Sequence, residues 1–353
     1  MIMWDNSKLI GKIPTQWEIK DELPLNETWN IVVNESRNEI KRILSWDSEK
    51  KIIILWPCSA DFKESLEEYA SFIAEMREKY KDKMEIIMRF YTWKPRTIWG
   101  WKWISNSRPG EEPNIIRWIM DSRELAIHLI EKYNVPLADE MLHPQLYNMF
   151  NDIYSYLAIW ARSSENQWHR EVASWSAIPI GFKNPQSWDI DVMTNSIKAW
   201  QTASTYNILE NIYASSWNMY SHWILRWWRM NNSNFSNYDE ESLILTSEML
   251  VKKWIINPSY IIDTNHENSN KQYEKQIEIM MIVFDNIEKL KNKWIDISSY
   301  FKGFMTESYL IDWRQNWPED DDISKIKKWC SLTDPCIWLE KTNIFLEEMY
   351  KRI

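Results

Sequence analysis

The chain has 353 residues, which is long for an ordinary single domain but typical of one α/β barrel. Hydrophobic residues make up 44% and charged residues 26%, and no apolar run approaches the roughly 18 residues of a membrane span. A net charge of −9 argues against nucleic acid as the main partner, because phosphate binding needs a basic face.

The N-terminus begins M-I-M-W-D-N-S-K and carries no basic segment followed by an apolar one, so a secretory signal is not indicated. The three cysteines are too few for a disulfide framework in a chain of this size. We therefore expect a cytoplasmic protein that is stabilised by its core.

Residues 1–50 precede the first predicted strand and form an N-terminal extension. The extension is too short and polar to hold a core of its own, but it has one apolar helical face. This face carries Ile31, Val32, Ile40, Ile43 and Leu44.

Residues 51–353 contain eight short apolar runs separated by stretches with helical patterns. The runs lie at 51–55, 85–90, 135–140, 157–162, 178–183, 223–226, 260–263 and 302–307. The clearest helical patterns lie at 62–80, 115–133, 191–202 and 270–291. Apolar strands that alternate with helices predict parallel pairing, and eight such units predict a (β/α)8 TIM barrel in the α/β class.

Polar residues follow these runs at the point where each run ends. They are Cys58, Arg89, Glu140, Arg162, Lys183, Arg226, His266 and Glu307. The carboxyl ends of all strands of such a barrel meet at one mouth, so these side chains are expected to form one site.

The expected site has a metal-binding part and a cationic part. Cys58, His266, Glu307 and Asp334 offer thiolate, imidazole and carboxylate ligands, which suit Mn, Fe, Co, Zn or Cu better than Mg or Ca. The cationic part suits phosphate and carboxylate groups. It consists of Arg89, Lys94, Arg96, Arg162, Lys183 and Arg226.

Tryptophan and glycine occur in abnormal numbers. The chain has 25 tryptophans and 5 glycines, whereas ordinary usage gives about 25 glycines in this length. We predict that a reassigned stop codon meaning glycine has been read as tryptophan; the alternative is a protein that is truly rich in tryptophan. The positions predicted to be glycine in the natural protein are Trp46, Trp56, Trp103, Trp160, Trp175, Trp227, Trp228, Trp313 and Trp338.

Several local strings resemble those of the class I, feedback-regulated 3-deoxy-D-arabino-heptulosonate 7-phosphate (DAHP) synthases. The strings are L-W-P-C-S at 55–59, K-P-R-T at 94–97, G-W-K-W at 100–103, A-I-W-A-R at 158–162, Q-W-H-R-E at 167–171, G-F-K-N at 181–184, I-L-R-W-W at 224–228, D-T-N-H at 263–266, E-S at 307–308 and T-D-P-C-I-W at 333–338. Tryptophan stands at glycine places of the family strings at 56, 103, 160, 227, 228 and 338. The resemblance extends from about residue 12 to the C-terminus.

The resemblance implies the first reaction of the shikimate pathway, which leads to chorismate and the aromatic amino acids. Phosphoenolpyruvate and erythrose 4-phosphate condense with water to give DAHP and phosphate, with the help of one divalent metal ion. The implied catalytic residues are Lys94, Cys58 and His266, and the implied metal ligands are Cys58, His266, Glu307 and Asp334. The implied substrate-binding residues are Arg89, Arg96, Thr97, Glu140, Arg162, Lys183 and Arg226.

The resemblance also implies a homodimer or homotetramer, with the extension at a subunit interface, and an aromatic amino-acid effector. The family's effector segments correspond to Pro144–Gln145, displaced here by three residues, and to Ser176–Ala177. Two further departures are a shortened stretch at 206–220 and Asp139 at a glycine place.

Two alternatives to an active synthase remain open. One is a non-catalytic barrel whose surface tryptophans stack on sugars or on another chain. The other is an inactive relative of the synthases.

Overall fold

The computed structural model describes residues 11–353 except 59, 61, 93–113, 186–189, 209–210, 231–232, 317 and 319–321, together with the backbone of 3–4 and 7–8. The strands are β1 (Met3–Trp4), β2 (Ser7–Lys8), β3 (Lys51–Trp56), β4 (Met84–Arg89), β5 (Leu137–Glu140), β6 (Tyr154–Ile159), β7 (Ile180–Lys183), β8 (Thr205–Ile208), β9 (Asn211–Ala214), β10 (His222–Leu225), β11 (Trp228–Met230), β12 (Ser233–Phe235), β13 (Tyr260–Asp263) and β14 (Phe301–Glu307). The helices are α1 (Gln16–Glu22), α2 (Glu27–Leu44), α3 (Lys63–Tyr80), α4 (Ile115–Tyr133), α5 (Tyr147–Phe150), α6 (Gln167–Trp175), α7 (Ile190–Trp200), α8 (Glu240–Lys252), α9 (Gln276–Asn292) and α10 (Leu339–Arg352).

Eight parallel strands close into a barrel in the order β10-β13-β14-β3-β4-β5-β6-β7. These are the eight strands that the apolar runs predict, so the predicted (β/α)8 barrel is confirmed. The strands are buried on both faces because helices surround them, which explains why they read as continuous apolar runs rather than as alternating ones.

The three remaining pairs of strands are short antiparallel hairpins, β1–β2, β8–β9 and β11–β12. The hairpin β11–β12 directly follows β10, so it lies just beyond the carboxyl end of a barrel strand. The hairpin β8–β9 lies between α7 and β10.

The structure corrects one predicted strand. β6 ends at Ile159, not at Arg162, and Arg162 lies in a 3₁₀ turn (Ala161–Ser163), where it is exposed. The prediction placed the strand too late because Tyr154 and Ser155 interrupt the apolar pattern, although both are buried. The other strands end within two residues of the predicted positions.

Helix starts follow local capping chemistry. Thr15 and Glu18 form a capping box at α1, and the side chains of Asn114 and Asp239 accept backbone N–H groups at α4 and α8. α4 has the predicted bounds of 115–133. α9 begins at Gln276, six residues later than predicted, because Asn270 and Lys271 adopt left-handed backbone that cannot continue a helix.

The extension packs on the barrel of its own chain. In α2, Val33, Ile40, Ile43 and Leu44 are fully buried, and the Arg37 Nε donates to the Tyr154 carbonyl at 2.8 Å. Ile31, which was predicted on the same apolar face, is 53% exposed. Most of the predicted face therefore covers the barrel.

In the ranges given above, the structure contains no helix that is both long and apolar enough to cross a membrane.

Candidate active site

Three of the four predicted metal ligands lie together at the carboxyl end of the barrel. Cys58 follows β3, Glu307 ends β14, and these two strands are neighbours in the barrel. Asp334 reaches the same point from the loop between β14 and α10. The sulfur of Cys58 and the carboxylate oxygens of the other two lie within 4.8 Å of one another, and Cys58 Sγ donates to Asp334 Oδ2 at 3.0 Å.

This donor set has the chemistry of a transition-metal site. One thiol and two carboxylates favour borderline metals such as Zn, Fe, Mn or Co, and two of the three residues are buried. The residues present therefore fit the divalent metal that the sequence predicts.

The fourth predicted ligand, His266, is not part of this group. It follows β13 and has a left-handed backbone with φ of 49°. Its Nδ1 lies 2.8 Å from Asp263 Oδ2 at the end of the same strand. Burial by itself raises the pKa of Asp263, but the facing imidazole of His266 outweighs it and lowers that pKa below its usual value. The structure thus pairs His266 with Asp263, a residue that the sequence analysis missed although it stands at a strand end.

Both carboxylate oxygens of Glu307 accept hydrogen bonds from neighbouring side chains. Trp56 Nε1 donates to Oε1 at 3.1 Å, and Asn265 Nδ2 donates to Oε2. Asn265 was also missed; its position beside His266 in the D-T-N-H string was the available signal. In the described structure, the indole N–H of Trp56 is thus hydrogen-bonded to one carboxylate oxygen of Glu307, a predicted metal ligand.

Arg89 joins the metal group to the cationic set. It ends β4, is 3% exposed, and its Nη2 donates to the carbonyl of Cys58 at 3.1 Å. The guanidinium is sandwiched by aromatic rings, with its Cζ 4.2 Å from the centre of the Trp56 ring and 4.5 Å from that of Tyr91. One residue of the predicted cationic part therefore contacts the backbone of a predicted metal ligand.

Lys183 and Glu140 form a buried ion pair at the ends of β7 and β5. Lys183 Nζ lies 2.7 Å from Glu140 Oε1, and both side chains are 3% exposed. Tyr91 donates its hydroxyl to the other oxygen of Glu140 at 2.8 Å. Burial raises the pKa of Glu140, but the charges of Lys183 and Arg89 outweigh burial and lower this pKa to about 2. Glu140 therefore stays ionised, and its carboxylate orients the side chain of Lys183.

Arg226 follows β10 and is 8% exposed. Its backbone N–H donates to Asn184 Oδ1 at 2.8 Å, and Asn184 Nδ2 donates to the Trp227 carbonyl at 2.6 Å. Asn237 Nδ2 reaches the same oxygen of Asn184 at 3.2 Å. Asn184 is a further missed residue, and it directly follows Lys183 in the G-F-K-N string.

Three arginines of the cationic set each have a tryptophan ring beside the guanidinium. The distances from Cζ to the ring centre are 4.2 Å for Arg89 and Trp56, 3.9 Å for Arg162 and Trp160, and 5.8 Å for Arg226 and Trp227. Trp56 is the last residue of β3, the strand next to the β4 strand that carries Arg89. Trp160 and Trp227 follow the ends of β6 and β10 by one and two residues. The remaining members of the set, Lys94 and Arg96, and the predicted substrate-binding residue Thr97 lie outside the described residues.

A (β/α)8 barrel with a thiol–carboxylate group and arginines at its carboxyl mouth has the architecture of a TIM-barrel enzyme, whose active site lies at that mouth. The sequence matches the DAHP synthetase I family over residues 30–347. The chain therefore belongs to the DAHP synthetase I family, as the sequence motifs predicted.

Individual relatives agree with this membership. The phenylalanine-inhibited phospho-2-dehydro-3-deoxyheptonate aldolase of Saccharomyces cerevisiae is 31% identical over 93% of this chain and 88% of its own length. The Trp-sensitive enzyme of Escherichia coli K12 is 28% identical over 96% of this chain and 94% of its own length. A solved structure of the aldolase from Francisella tularensis SCHU S4 has a TM-score of 0.88 at 29% identity and covers 99% of this chain and 98% of that one.

The protein is thus an enzyme, a transferase of the DAHP synthase type that serves the shikimate pathway. This result removes the alternative of a tryptophan-rich binding protein without catalytic activity.

Proposed function

We propose that this protein condenses phosphoenolpyruvate with erythrose 4-phosphate and water to give DAHP and phosphate, in a reaction that depends on a divalent metal. The single observation that carries the proposal is the group of Cys58, Glu307 and Asp334, joined to Arg89 through the carbonyl of Cys58. A metal site and an anion site in direct contact are what the condensation of two phosphorylated substrates needs.

The metal would be held by Cys58, Glu307 and Asp334, and we propose His266 as a fourth ligand after a rearrangement of its contact with Asp263. When bound, a divalent metal supplies Lewis-acid polarisation of the aldehyde. The chemistry of the donors favours Mn, Fe, Co, Zn or Cu.

The cationic residues align the two substrates. Arg89 and Lys183 are expected to hold the carboxylate of phosphoenolpyruvate, and Arg162 and Arg226 its phosphate. Arg96 and Thr97 are proposed to bind the phosphate of the aldose. These fixed charges offset the repulsion between two anions, which is costly in water, and so supply both alignment and electrostatic stabilisation.

The reaction forms a bond between the methylene carbon of phosphoenolpyruvate and the aldehyde carbon. The aldehyde oxygen takes up a proton, for which we propose Lys94 as donor. Water then adds at C2 of the former phosphoenolpyruvate, and phosphate leaves. Glu140 stays ionised throughout, since its pKa lies at about 2, and it orients Lys183 through their ion pair.

Removal of metal tests this function directly. Treatment with a strong chelator is expected to abolish phosphate release from phosphoenolpyruvate plus erythrose 4-phosphate, and adding back Mn, Fe, Co, Zn or Cu separately should restore it. Release that needs both substrates is the control against simple hydrolysis. Full activity in the chelated, metal-free enzyme would contradict the proposal.

We further propose an aromatic amino-acid effector, because relatives are named phenylalanine-inhibited, tyrosine-inhibited and Trp-sensitive. Close to these predicted segments, the hydroxyl of Tyr147, two residues after Gln145, hydrogen-bonds to the hydroxyl of Ser176 at 2.8 Å. Inhibition by each aromatic amino acid at fixed substrate concentrations tests this. A biosynthetic role also agrees with the cytoplasmic location expected from the sequence.

The extension is proposed to lie at a subunit interface of a homodimer or homotetramer. Deleting residues 1–50 would uncover the barrel surface under α2, so a point change is the sharper test. Ile31→Glu, at a side chain that is 53% exposed, is expected to lower the mass of the oligomer measured by light scattering. Glu35→Gln on the same helix is the control and should leave the mass unchanged; an unchanged mass in both variants would contradict the interface role.

A further inference from the structure

Seven tryptophans have a backbone conformation that favours glycine. They are Trp46 (φ 67°), Trp217 (134°), Trp227 (128°), Trp254 (55°), Trp294 (64°), Trp313 (83°) and Trp329 (71°). They make up seven of the twelve non-glycine residues with positive φ in the described part of the chain; the others are three asparagines, a histidine and a lysine. Asparagine and histidine tolerate this region, whereas a bulky residue there is a genuine outlier.

Three of these tryptophans occupy the same place in the same motif. Trp46, Trp254 and Trp294 each come two residues after the last residue of a helix, α2, α8 and α9. The next backbone N–H then bonds back to the helix, with N–O distances of 2.8 Å for 47 to 42, 3.1 Å for 255 to 250 and 2.9 Å for 295 to 290. This six-to-one hydrogen bond is the Schellman motif, which prefers glycine at this position because glycine has no Cβ.

Two of these three indoles gain little burial in return for the strained backbone. Trp254 is 83% exposed and Trp294 is 96% exposed. Side chains left in water contribute almost no burial energy, so burial of these two indoles does not offset the steric cost of the left-handed conformation.

Trp227 shows the same conflict inside the site. Its φ is 128°, its side chain is 6% exposed, and its Nε1 is buried without a hydrogen-bond partner among the described residues. A buried indole N–H without a partner adds a desolvation penalty to the backbone strain. The ring also lies beside Arg226, as Trp56 lies beside Arg89 and Trp160 beside Arg162.

We infer that the natural protein carries glycine in place of the seven tryptophans with positive φ, at 46, 217, 227, 254, 294, 313 and 329. Glycine at 56, 160 and 227 uncovers the guanidinium groups of Arg89, Arg162 and Arg226 for substrate anions. The second part rests on the proposed function. Positions 217, 254, 294 and 329 extend the set that sequence analysis predicts. Trp56, Trp160, Trp175, Trp228 and Trp338 of that set do not have positive φ, and Trp103 lies outside the described residues.

Peptide mass spectrometry of the protein isolated from its source organism tests the first part. Each peptide that contains residue 217, 254, 294 or 329 should have the mass of its glycine form. Tryptophan at 254 and 294 in that protein overturns the inference.

Thermal unfolding of recombinant variants gives an independent readout away from the site. Trp254→Gly and Trp294→Gly are each expected to raise the Tm of the chain by roughly 1 to 3 °C, because left-handed strain is relieved in a chain of this length. Trp17→Gly is the matched control: Trp17 is 69% exposed but lies within α1, where glycine weakens a helix, so its Tm should fall or stay unchanged. A fall at 254 and 294 overturns the backbone argument.

Calorimetric titration with phosphoenolpyruvate, and separately with inorganic phosphate, tests the second part. The combined variant Trp56→Gly, Trp160→Gly, Trp227→Gly should bind both anions at least 10-fold more tightly than the chain with tryptophan. Unchanged affinity in a variant that keeps its circular dichroism spectrum overturns this part alone. Tight binding of phosphoenolpyruvate without turnover of the two substrates supports the inference and overturns the proposed function.

Discussion

Cys58→Ala is expected to remove the bound metal and to lower kcat/KM for phosphate release by about 100-fold or more. Cys58 supplies the only sulfur in the group of three ligand atoms that lie within 4.8 Å of one another. A Lewis-acid metal contributes several kcal/mol to the stabilisation of developing charge, and each 1.36 kcal/mol is about a tenfold change in rate. Metal content by mass spectrometry and steady-state kinetics measure the two effects.

Cys330→Ala is the matched control for this experiment. Cys330 is also buried and forms no disulfide within the described part of the chain, but it is not part of the ligand group. The control should keep both metal and activity, since it removes a sulfur of similar burial from outside the site. A Cys58→Ala enzyme with full metal content and full activity would show that the site is wrongly assigned.

Lys183→Met is expected to abolish measurable turnover and to destabilise the fold by about 3 to 5 kcal/mol, because it leaves the Glu140 carboxylate buried without its ion-pair partner. The double variant Lys183→Met, Glu140→Gln removes both charges. It should recover much of the stability while remaining inactive, since the cation that binds substrate is still missing. Denaturant unfolding and phosphate release measure the two properties separately.

Acid titration adds a second readout for the same pair. The pKa of Glu140 lies at about 2 in the folded protein and near 4.3 in an unfolded chain. Its ion pair therefore stabilises the fold fully above about pH 4.3, and this contribution is lost as the pH falls towards 2. The loss should be smaller in the double variant than in the unchanged chain. Equal acid sensitivity of both proteins, or activity in Lys183→Met, would contradict the role of this pair.

Three of the four predicted metal ligands lie together, and for Cys58 and Glu307 the reason is simple geometry. Cys58 and Glu307 lie at the ends of neighbouring strands, so closure of the barrel brings them together independently of how the helices pack. His266 lies farther along the chain from its strand, in a turn with left-handed backbone. The direction of the His266 side chain depends on the dihedral angles of this turn, which the position of the strand does not define. The structure therefore pairs His266 with Asp263.

The barrel itself could be derived from the sequence alone. Apolar runs of four to six residues alternate with helical patterns, and all eight form barrel strands. Hydrophobic periodicity is a local property, so it can be detected without knowing which elements touch. The abnormal ratio of tryptophan to glycine was also visible in the composition.

Only the tertiary structure decided how the polar residues pair. Glu140 and Lys183 lie 43 positions apart, and Asn265 meets Glu307 across 42 positions. These contacts depend on the order and register of strands around the closed barrel, which local sequence patterns do not encode. In the same way, the sequence predicts an apolar face on the extension, but only the packed structure shows that α2 buries this face against its own barrel and leaves Ile31 exposed.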